Sequence, residues 1–260
     1  MLLSGKSVLI TGASSGIGYA VAERLSYEKS KIAILSRSTD ILKEFAARYR
    51  NDQNIILPLH CDISVKDEVF SAYDKIMNEF GGIDIAILNA GTSYRLDAED
   101  FSAAKGEEVL SVNLTGKFYF LEKLIPYFIE RRNGMIVGVS SLADARGFPR
   151  SAFYNASKAA FSKLLESLRI ELKSYGIKVI TVRPGFVKTP MTDKNEFHMP
   201  FLMEVEKAAD IIIKGIKKEK RIIQFPLPTV ISTKIIELMP DSMFEYFTGK
   251  HLEGLKKKQL

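Results

Sequence analysis

Seven short aliphatic runs, each followed by a longer amphipathic stretch, constrain this chain more than any other feature. The runs are Ser7 to Thr11, Lys31 to Leu35, Asn54 to Leu59, Ile83 to Leu88, Met135 to Val139, Ile177 to Val182 and Ile222 to Phe225. They are rich in β-branched residues and too short for helices. They do not alternate apolar with polar, as strands buried on both faces need not. Between them the spacing predicts helices, among them Ile17 to Glu28, Lys66 to Phe80, Glu107 to Arg131 and Phe153 to Tyr175. Strand and helix in alternation imply parallel strands joined by right-handed crossovers. The expected fold class is therefore α/β, a Rossmann-type doubly wound parallel sheet of about seven strands with helices on both faces.

In such sheets ligands bind beyond the carboxyl ends of the strands. After the first run stands Thr11-Gly12-Ala13-Ser14-Ser15-Gly16-Ile17-Gly18. Glycines there permit a tight turn and let backbone approach a pyrophosphate, while the following helix start offers unpaired N–H groups. The spacing is GxxxGxG rather than GxGxxG, but it follows a strand and opens a helix. The second run ends in Ser36-Arg37-Ser38. An acidic residue at that place binds the adenosine ribose 2′-hydroxyl and repels a 2′-phosphate. A guanidinium between hydroxyls suits the phosphate, so NADP(H) is favoured over NAD(H). Asp62, after the third run, can accept a hydrogen bond from an adenine amine or cap the helix that begins near Val65.

Tyr154-Asn155-Ala156-Ser157-Lys158 opens a predicted helix, with Tyr and Lys on one face. The same spacing occurs at Tyr27–Lys31, Tyr119–Lys123 and Tyr246–Lys250, so location decides. Ser141 lies just past the fifth run, at the sheet edge where ligands bind. Tyr27 has Ser14 at the same offset, but that serine is in the glycine loop and Tyr27 lies near the far end of the intervening helix, about 15 Å away, while Tyr119 and Tyr246 have Gly106 and Thr233 there. Reducing a carbonyl creates an alkoxide that needs a proton donor. A free phenol titrates near pH ~10, too high to serve well as a base near neutrality. A lysine ammonium one turn away is expected to favour the phenolate, and the Ser141 hydroxyl to hold the carbonyl oxygen beside it.

These elements together resemble the short-chain dehydrogenase/reductase family. TGxxxGIG stands at Thr11 to Gly18, NAG at Asn89-Ala90-Gly91, and Asn113 falls in the next predicted helix. Ser141, YxASK at Tyr154 to Lys158, and Pro184-Gly185 with Thr189 follow in family order. The resemblance implies an NAD(P)-dependent oxidoreductase acting on CH–OH/C=O groups, of the EC 1.1.1 type. It implies Tyr154 as general acid/base, Lys158 also holding the nicotinamide ribose, and Asn113 positioning a water in a proton relay. The candidate catalytic set is Asn113, Ser141, Tyr154 and Lys158. The candidate cofactor set is Gly12, Ser14, Ser15, Gly16, Ile17, Gly18, Ser36, Arg37, Asp62, Ile63, Asn89, Ala90, Gly91, Tyr154, Lys158, Pro184, Gly185, Val187 and Thr189. Asn113, Thr115 and Gly116 are poor helix formers inside a predicted helix, so a local distortion is expected there. Family members using NADP often carry a basic residue just before the second glycine, where this chain has Ser15.

Residues 1–225 are expected to form the dinucleotide-binding and catalytic domain, and residues 226–260 a helical appendage of it. A single cysteine, Cys61, rules out an internal disulfide, and His60, His198 and His251 show no metal-ligand spacing. No metal is expected. The formal charge of +6 fits phosphorylated cofactors as well as nucleic acid. The basic group Lys214, Lys217, Lys218, Lys220 and Arg221 ends a predicted helix, where cations complement the dipole. Nucleic acid is therefore not an expected partner. A binding protein that senses NADP(H) without turnover is disfavoured by the presence of Tyr154 and Lys158. No apolar run is long enough to span a membrane, and the expected location is cytoplasmic.

The expected substrate is a small alcohol or carbonyl compound, apolar in character. The segment from Phe186 to Met203 carries Phe186, Met191, Phe197, Met199, Phe201, Leu202 and Met203, which can line an apolar pocket or pack a lid on the core. Tyr94 and Arg95 can reach a polar substrate end or stand in solvent. The predicted long helices carry more apolar positions than one buried stripe needs, which with the resemblance points to a homodimer or homotetramer. The appendage reads as two helices. The first spans roughly Thr229 to Met239, with an apolar side of Val230, Ile231, Ile235, Leu238 and Met239. The second is capped by Asp241 or Ser242, presents Met243, Phe244 and Phe247, and ends at Gly249, with Lys256-Lys257-Lys258 beyond. Protein contact is the favoured role, as a lid or at a subunit interface. Peripheral membrane contact ranks below it.

Overall fold

The computed structural model describes residues 1–195 and 197–259, with the side chains of residues 251 and 255–259 outside that description. The strands fall where the aliphatic runs stand: β1 (Ser7–Thr11), β2 (Lys31–Ser36), β3 (Ile55–His60), β4 (Ile85–Leu88), β5 (Gly134–Val139), β6 (Ile177–Pro184) and β7 (Ile222–Phe225). They form one seven-stranded sheet in the order β3-β2-β1-β4-β5-β6-β7, and each neighbouring pair is parallel. The chain winds outward from β1 to β3, then returns to β4 beside β1. The topological switch point therefore lies between β1 and β4, where a crevice opens beyond the strand ends.

The helices explain why the runs do not alternate. Helices α1 (Gly16–Ser26), α2 (Thr39–Tyr49) and α7 (Val205–Lys217) cover one face, and α3 (Lys66–Phe80), α5 (Gly116–Arg131) and α6 (Ala152–Glu171) cover the other. Val8 and Ile10 point into the first core while Leu9 points into the second. Ile85 and Ile87 against Ala86 and Leu88 repeat the pattern on β4. Period-two side chains with both faces covered produce continuous apolar runs.

The stretch expected as one helix from Glu107 to Arg131 is three pieces. Helix α4 (Ala103–Leu110) passes into a π-turn at Ser111–Thr115 and then into α5. The widened turn holds Asn113 and meets α5 at Gly116. A Cβ on Gly116 would stand 2.3 Å from the Ile63 carbonyl oxygen, so only glycine fits there. The predicted helix from Phe153 to Tyr175 is α6 plus a closing 3-10 turn at Leu172–Tyr175.

The tail differs from expectation in length and in facing. Helix α8 (Leu227–Leu238) buries Val230 and Thr233, while Leu227, Ile231, Ile235 and Leu238 of the expected apolar side and its first turn are exposed. Helix α9 (Asp241–Gln259) does not stop at Gly249. A mid-helix glycine costs about 1 kcal/mol, and the Leu, Glu, Lys and Gln that follow are good helix formers. Phe244 is buried, but Met243 and Phe247 are exposed. The side chains of Lys256, Lys257 and Lys258 lie outside the described residues.

Candidate active site

The loops after β1 and β4 are bolted together at the switch point. The Thr11 hydroxyl accepts hydrogen bonds from the backbone N–H groups of Asn89 and Ala90, both at 3.0 Å. The Asn89 side-chain amide donates to the carbonyls of Thr11 and Gly12 at 3.0 and 3.1 Å. Gly12 has φ +68°, and a Cβ on it would fall 2.7 Å from Cα of Ala90. A Cβ on Gly18 would fall 2.2 Å from the Gly12 carbonyl oxygen. Ser15 precedes α1 without a side-chain cap, so the first-turn N–H groups keep their capacity to bind an anion.

A cleft of about 330 Å³ runs from this loop along the strand ends. Every candidate catalytic or cofactor residue lines it except Gly18 and Asn113, which stand behind its wall. At one end are Ser36, Arg37, Ser38 and Asp62. Arg37 is largely exposed, 3.9 Å from the Asp62 carboxylate. Asp62 also accepts from the backbone N–H and hydroxyl of Ser64, at 2.9 and 2.6 Å, and so shapes the turn into α3. Partial burial pushes its carboxyl up, but the Ser64 bonds and Arg37 outweigh that and leave it below the ordinary range.

At the other end are Ser141, Tyr154 and Lys158, facing Gly91, Thr92, Pro184 and Gly185. Strand β5 delivers Ser141, and the first turns of α6 deliver the tyrosine and lysine. Lys158 is buried, and its ammonium donates to the Val139 carbonyl at 3.1 Å. Burial lowers it to about 8, against an upward pull from Asp144. Tyr154 does not follow the expected direction. Burial raises its phenol, the Ser141 hydroxyl lowers it, Asp144 raises it again, and the result is above the ordinary value. The lysine nitrogen is 5.5 Å from the phenol ring centroid and turned to Val139, so desolvation prevails over ion attraction.

The Asn113 side chain is fully used for structure. It accepts from the Thr92 N–H at 2.8 Å and donates to the Thr92 carbonyl and the Ser157 hydroxyl at 2.9 and 3.0 Å. It thereby ties the loop after β4 to α6. The Phe186 to Met203 segment is divided between core and cleft. Val187 and Met203 pack into the core, while Met191 lines the cleft. Phe197 rests against Phe186, with the Arg95 guanidinium 4.4 Å from its ring. Tyr94 donates to Glu108 at 2.6 Å. Glu108, Thr92 and Val112 line the cleft without having been singled out in the sequence. Thr92 directly follows NAG and was within reach of the strand-end rule, whereas Glu108 and Val112 arrive from α4 and the π-turn. Among the described residues no group of three or more His, Cys, Asp or Glu could hold a metal ion, and no helix is long and apolar enough to cross a membrane.

Residues 6–199 match the model of the short chain dehydrogenase family. The chain belongs to that family. An uncharacterized oxidoreductase of Myxococcus xanthus is 32% identical over 243 residues, covering 94% of this chain and 96% of its own. The 3-oxoacyl-(acyl-carrier-protein) reductase FabG of Thermotoga maritima is 31% identical over 255 residues, 96% of each chain. A short-chain dehydrogenase/reductase from Burkholderia phymatum, solved in complex with NAD, superposes with a TM-score of 0.83 at 22% identity, over 90% of this chain and 93% of that one. The chain is thus an oxidoreductase of the short chain dehydrogenase type, on a Rossmann-type α/β fold.

Proposed function

We propose that the protein moves a hydride between NADP(H) and a small, apolar alcohol/carbonyl pair, with Tyr154 as general acid/base. The observation that carries this reading is the convergence of Ser141, Tyr154 and Lys158 at one end of a cleft whose other end is a glycine loop and Arg37. The cleft suits a dinucleotide. Gly12 and Gly16 hold positive φ, which lets the loop approach a pyrophosphate at the uncapped start of α1. Ser14, Ser15, Gly16 and Ile17 would hold the phosphates. Asn89, Ala90, Gly91, Ile63 and Asp62 would flank the adenine half, and Pro184, Gly185, Val187 and Thr189 the nicotinamide half. Exposed Arg37, with Ser36 and Ser38 beside it, supports NADP(H) over NAD(H).

When bound, the nicotinamide supplies or accepts the hydride at the carbonyl carbon. The chain's own residues handle the proton. The Ser141 hydroxyl, beside the phenol, orients the substrate oxygen. The raised affinity of Tyr154 for its proton keeps the phenol protonated and ready to donate as an alkoxide forms. Lys158 would hold the ribose, and its value of about 8 lets it exchange protons near neutrality. Asn113 supports this relay by fixing Thr92 and Ser157. NADPH oxidation across a chemically broad carbonyl panel tests the reading. Tyr154→Phe should lower turnover at least about 100-fold, as for loss of a general acid, with cofactor affinity little changed. Unchanged turnover in that variant on a true substrate would overturn the assignment.

A further inference from the structure

The residue next in importance behind this site is an acid that the proposed reaction does not name. Asp144 lies in the 3-10 turn Leu142–Asp144, directly after Ser141, and its side chain is 3% exposed. A carboxylate buried this deeply is rare unless paired. Its partner is Arg183 of β6, whose Nε stands 2.9 Å from both carboxylate oxygens and whose Nη2 bonds Oδ1. The Ser162 hydroxyl of α6 donates to the same carboxylate. The Ser140 hydroxyl, 2.8 Å from that of Ser162, reaches the Lys158 carbonyl at 3.0 Å. One buried charge thus ties together the turn after β5, the middle of α6 and the end of β6, the three elements that carry Ser141, the Tyr154–Lys158 pair and Pro184.

The tail grips the same segment from outside. Arg183 extends its Nη2 to Glu237 of α8 at 3.1 Å. Arg146 donates to the Met239 carbonyl at 3.2 Å and to Asp241 of α9 at 2.8 Å, and its guanidinium lies 4.4 Å from the Phe244 ring centroid. Phe148 meets Phe244 edge-on at 5.8 Å. From within, Asn155 donates to the carbonyls of Ala143 and Arg146 at 2.7 and 3.0 Å. The backbone between Ser141 and Tyr154 is therefore held on one side by α6 and on the other by the α8–α9 corner.

We propose that Asp144 is a positioning residue for Ser141, Tyr154 and Lys158, and that the C-terminal helices, through Glu237 and Asp241, are the outer half of the same clamp. The mechanistic part rests on the reading of Tyr154 as acid/base, but the electrostatic part does not. The charged and titratable groups that face Asp144 are Arg183 from β6, Tyr154, Lys158 and Lys163 from α6, and, across Arg183, Glu237 from α8. Its negative charge favours the protonated forms of Tyr154 and Lys158. Asp144→Asn removes that charge and leaves Arg183 cationic, so both effects lower the proton affinity of the phenol.

The test uses the full-length protein and two readouts. In ultraviolet difference titration of tyrosinate, with Tyr154→Phe as the blank in each background, Tyr154 should titrate about one unit lower in Asp144→Asn. Asp144→Glu, which keeps the charge, should leave it within about half that shift. In turnover of a carbonyl that the unmodified protein reduces with NADPH, Glu237→Gln with Asp241→Asn should lower kcat about three- to tenfold with KM for NADPH unchanged, the loss of an ordered geometry. These two residues are at the surface, so this variant keeps the proposal falsifiable if Asp144→Asn does not fold. A folded Asp144→Asn protein with an unmoved Tyr154 titration overturns the role of Asp144. An unchanged kcat in the outer double variant overturns the clamp. Retained turnover in Tyr154→Phe instead overturns the acid/base reading, while the titration still reports on Asp144.

Discussion

Lys117 is fully buried one turn beyond Asn113, its ammonium 4.2 Å from the Phe161 ring centroid and without a hydrogen-bond partner among the described residues. Burial, with the nearby charge of Lys158, holds it well below the ordinary lysine range. A base that holds its proton less tightly in the folded state than in the unfolded chain costs stability below its unfolded value, and the cost fades as pH rises toward ~10.5. Lys117→Met keeps the volume and removes the unpaired amine. It is expected to raise stability at pH 7 by about 1–3 kcal/mol, with the gain shrinking toward the lysine value as pH rises. Thermal unfolding of both proteins across pH measures this, and a gain that does not change with pH would defeat the cause. Residues of this kind were not legible in the chain. Ser141, Tyr154 and Lys158 were, because their offsets place them at a strand end and on one helix face. The properties of Lys117 and Asp144 come from burial by segments distant in sequence, β6 and α6 among them, and no local spacing encodes that.

Elements were legible where one pattern dominates. Strand positions followed from aliphatic runs bounded by polar ends, and Asn113, Thr115 and Gly116 marked a distortion in the helix, which the structure shows to be a π-turn. Gly116 supports an expectation with a sign opposite to helix propensity. Alanine is the better helix former by about 1 kcal/mol. Yet the close approach of a Cβ to Ile63 means that Gly116→Ala should destabilise the protein by about 1–3 kcal/mol through overpacking. Urea unfolding with a stability gain would show that the turn gives way. The facing of the tail is not legible in the sequence because α8 is apolar on two sides. Periodicity finds an apolar stripe but not which stripe faces inward; here Val230 and Thr233 are buried and Glu237 pairs with Arg183 of β6. Between α5 and α6, Phe118, Leu121, Ile125, Leu164 and Leu168 form a shallow apolar groove. A second copy packing helix against helix there is the expected assembly, a homodimer or homotetramer. Light scattering at micromolar concentration checks it, and Phe118→Glu should lower the assembled mass. A monomer in the unmodified protein would contradict it.

At the scale of the whole molecule, the switch point divides the labour of the sheet. The β1–β2–β3 half carries the glycine loop and Arg37, and the β4–β7 half carries Ser141, Gly185 and, through α6, Tyr154 and Lys158. Arg37 follows β2 and Ser141 follows β5, three strand spacings apart in the sheet, or about 14 Å. Substitutions at such distance without shared partners add in free energy to within about 0.5 kcal/mol. Arg37→Asp should reverse an order in which NADPH binds more tightly than NADH, because it places a carboxylate where the 2′-phosphate would lie. Ser141→Ala should lower turnover about 100- to 1,000-fold with either cofactor, as for loss of one donor to the reacting oxygen. Calorimetry on each protein gives the first quantity and steady-state rates the second. Equal affinity for NADPH and NADH in the unmodified protein would remove the role of Arg37. If both single effects are as expected, the double variant should keep each one undiminished, the reversed cofactor affinity and the lowered turnover. A coupling larger than about 1 kcal/mol would mean that the two halves of the sheet do not act as separate supports, and that binding at the adenosine end reshapes the catalytic end.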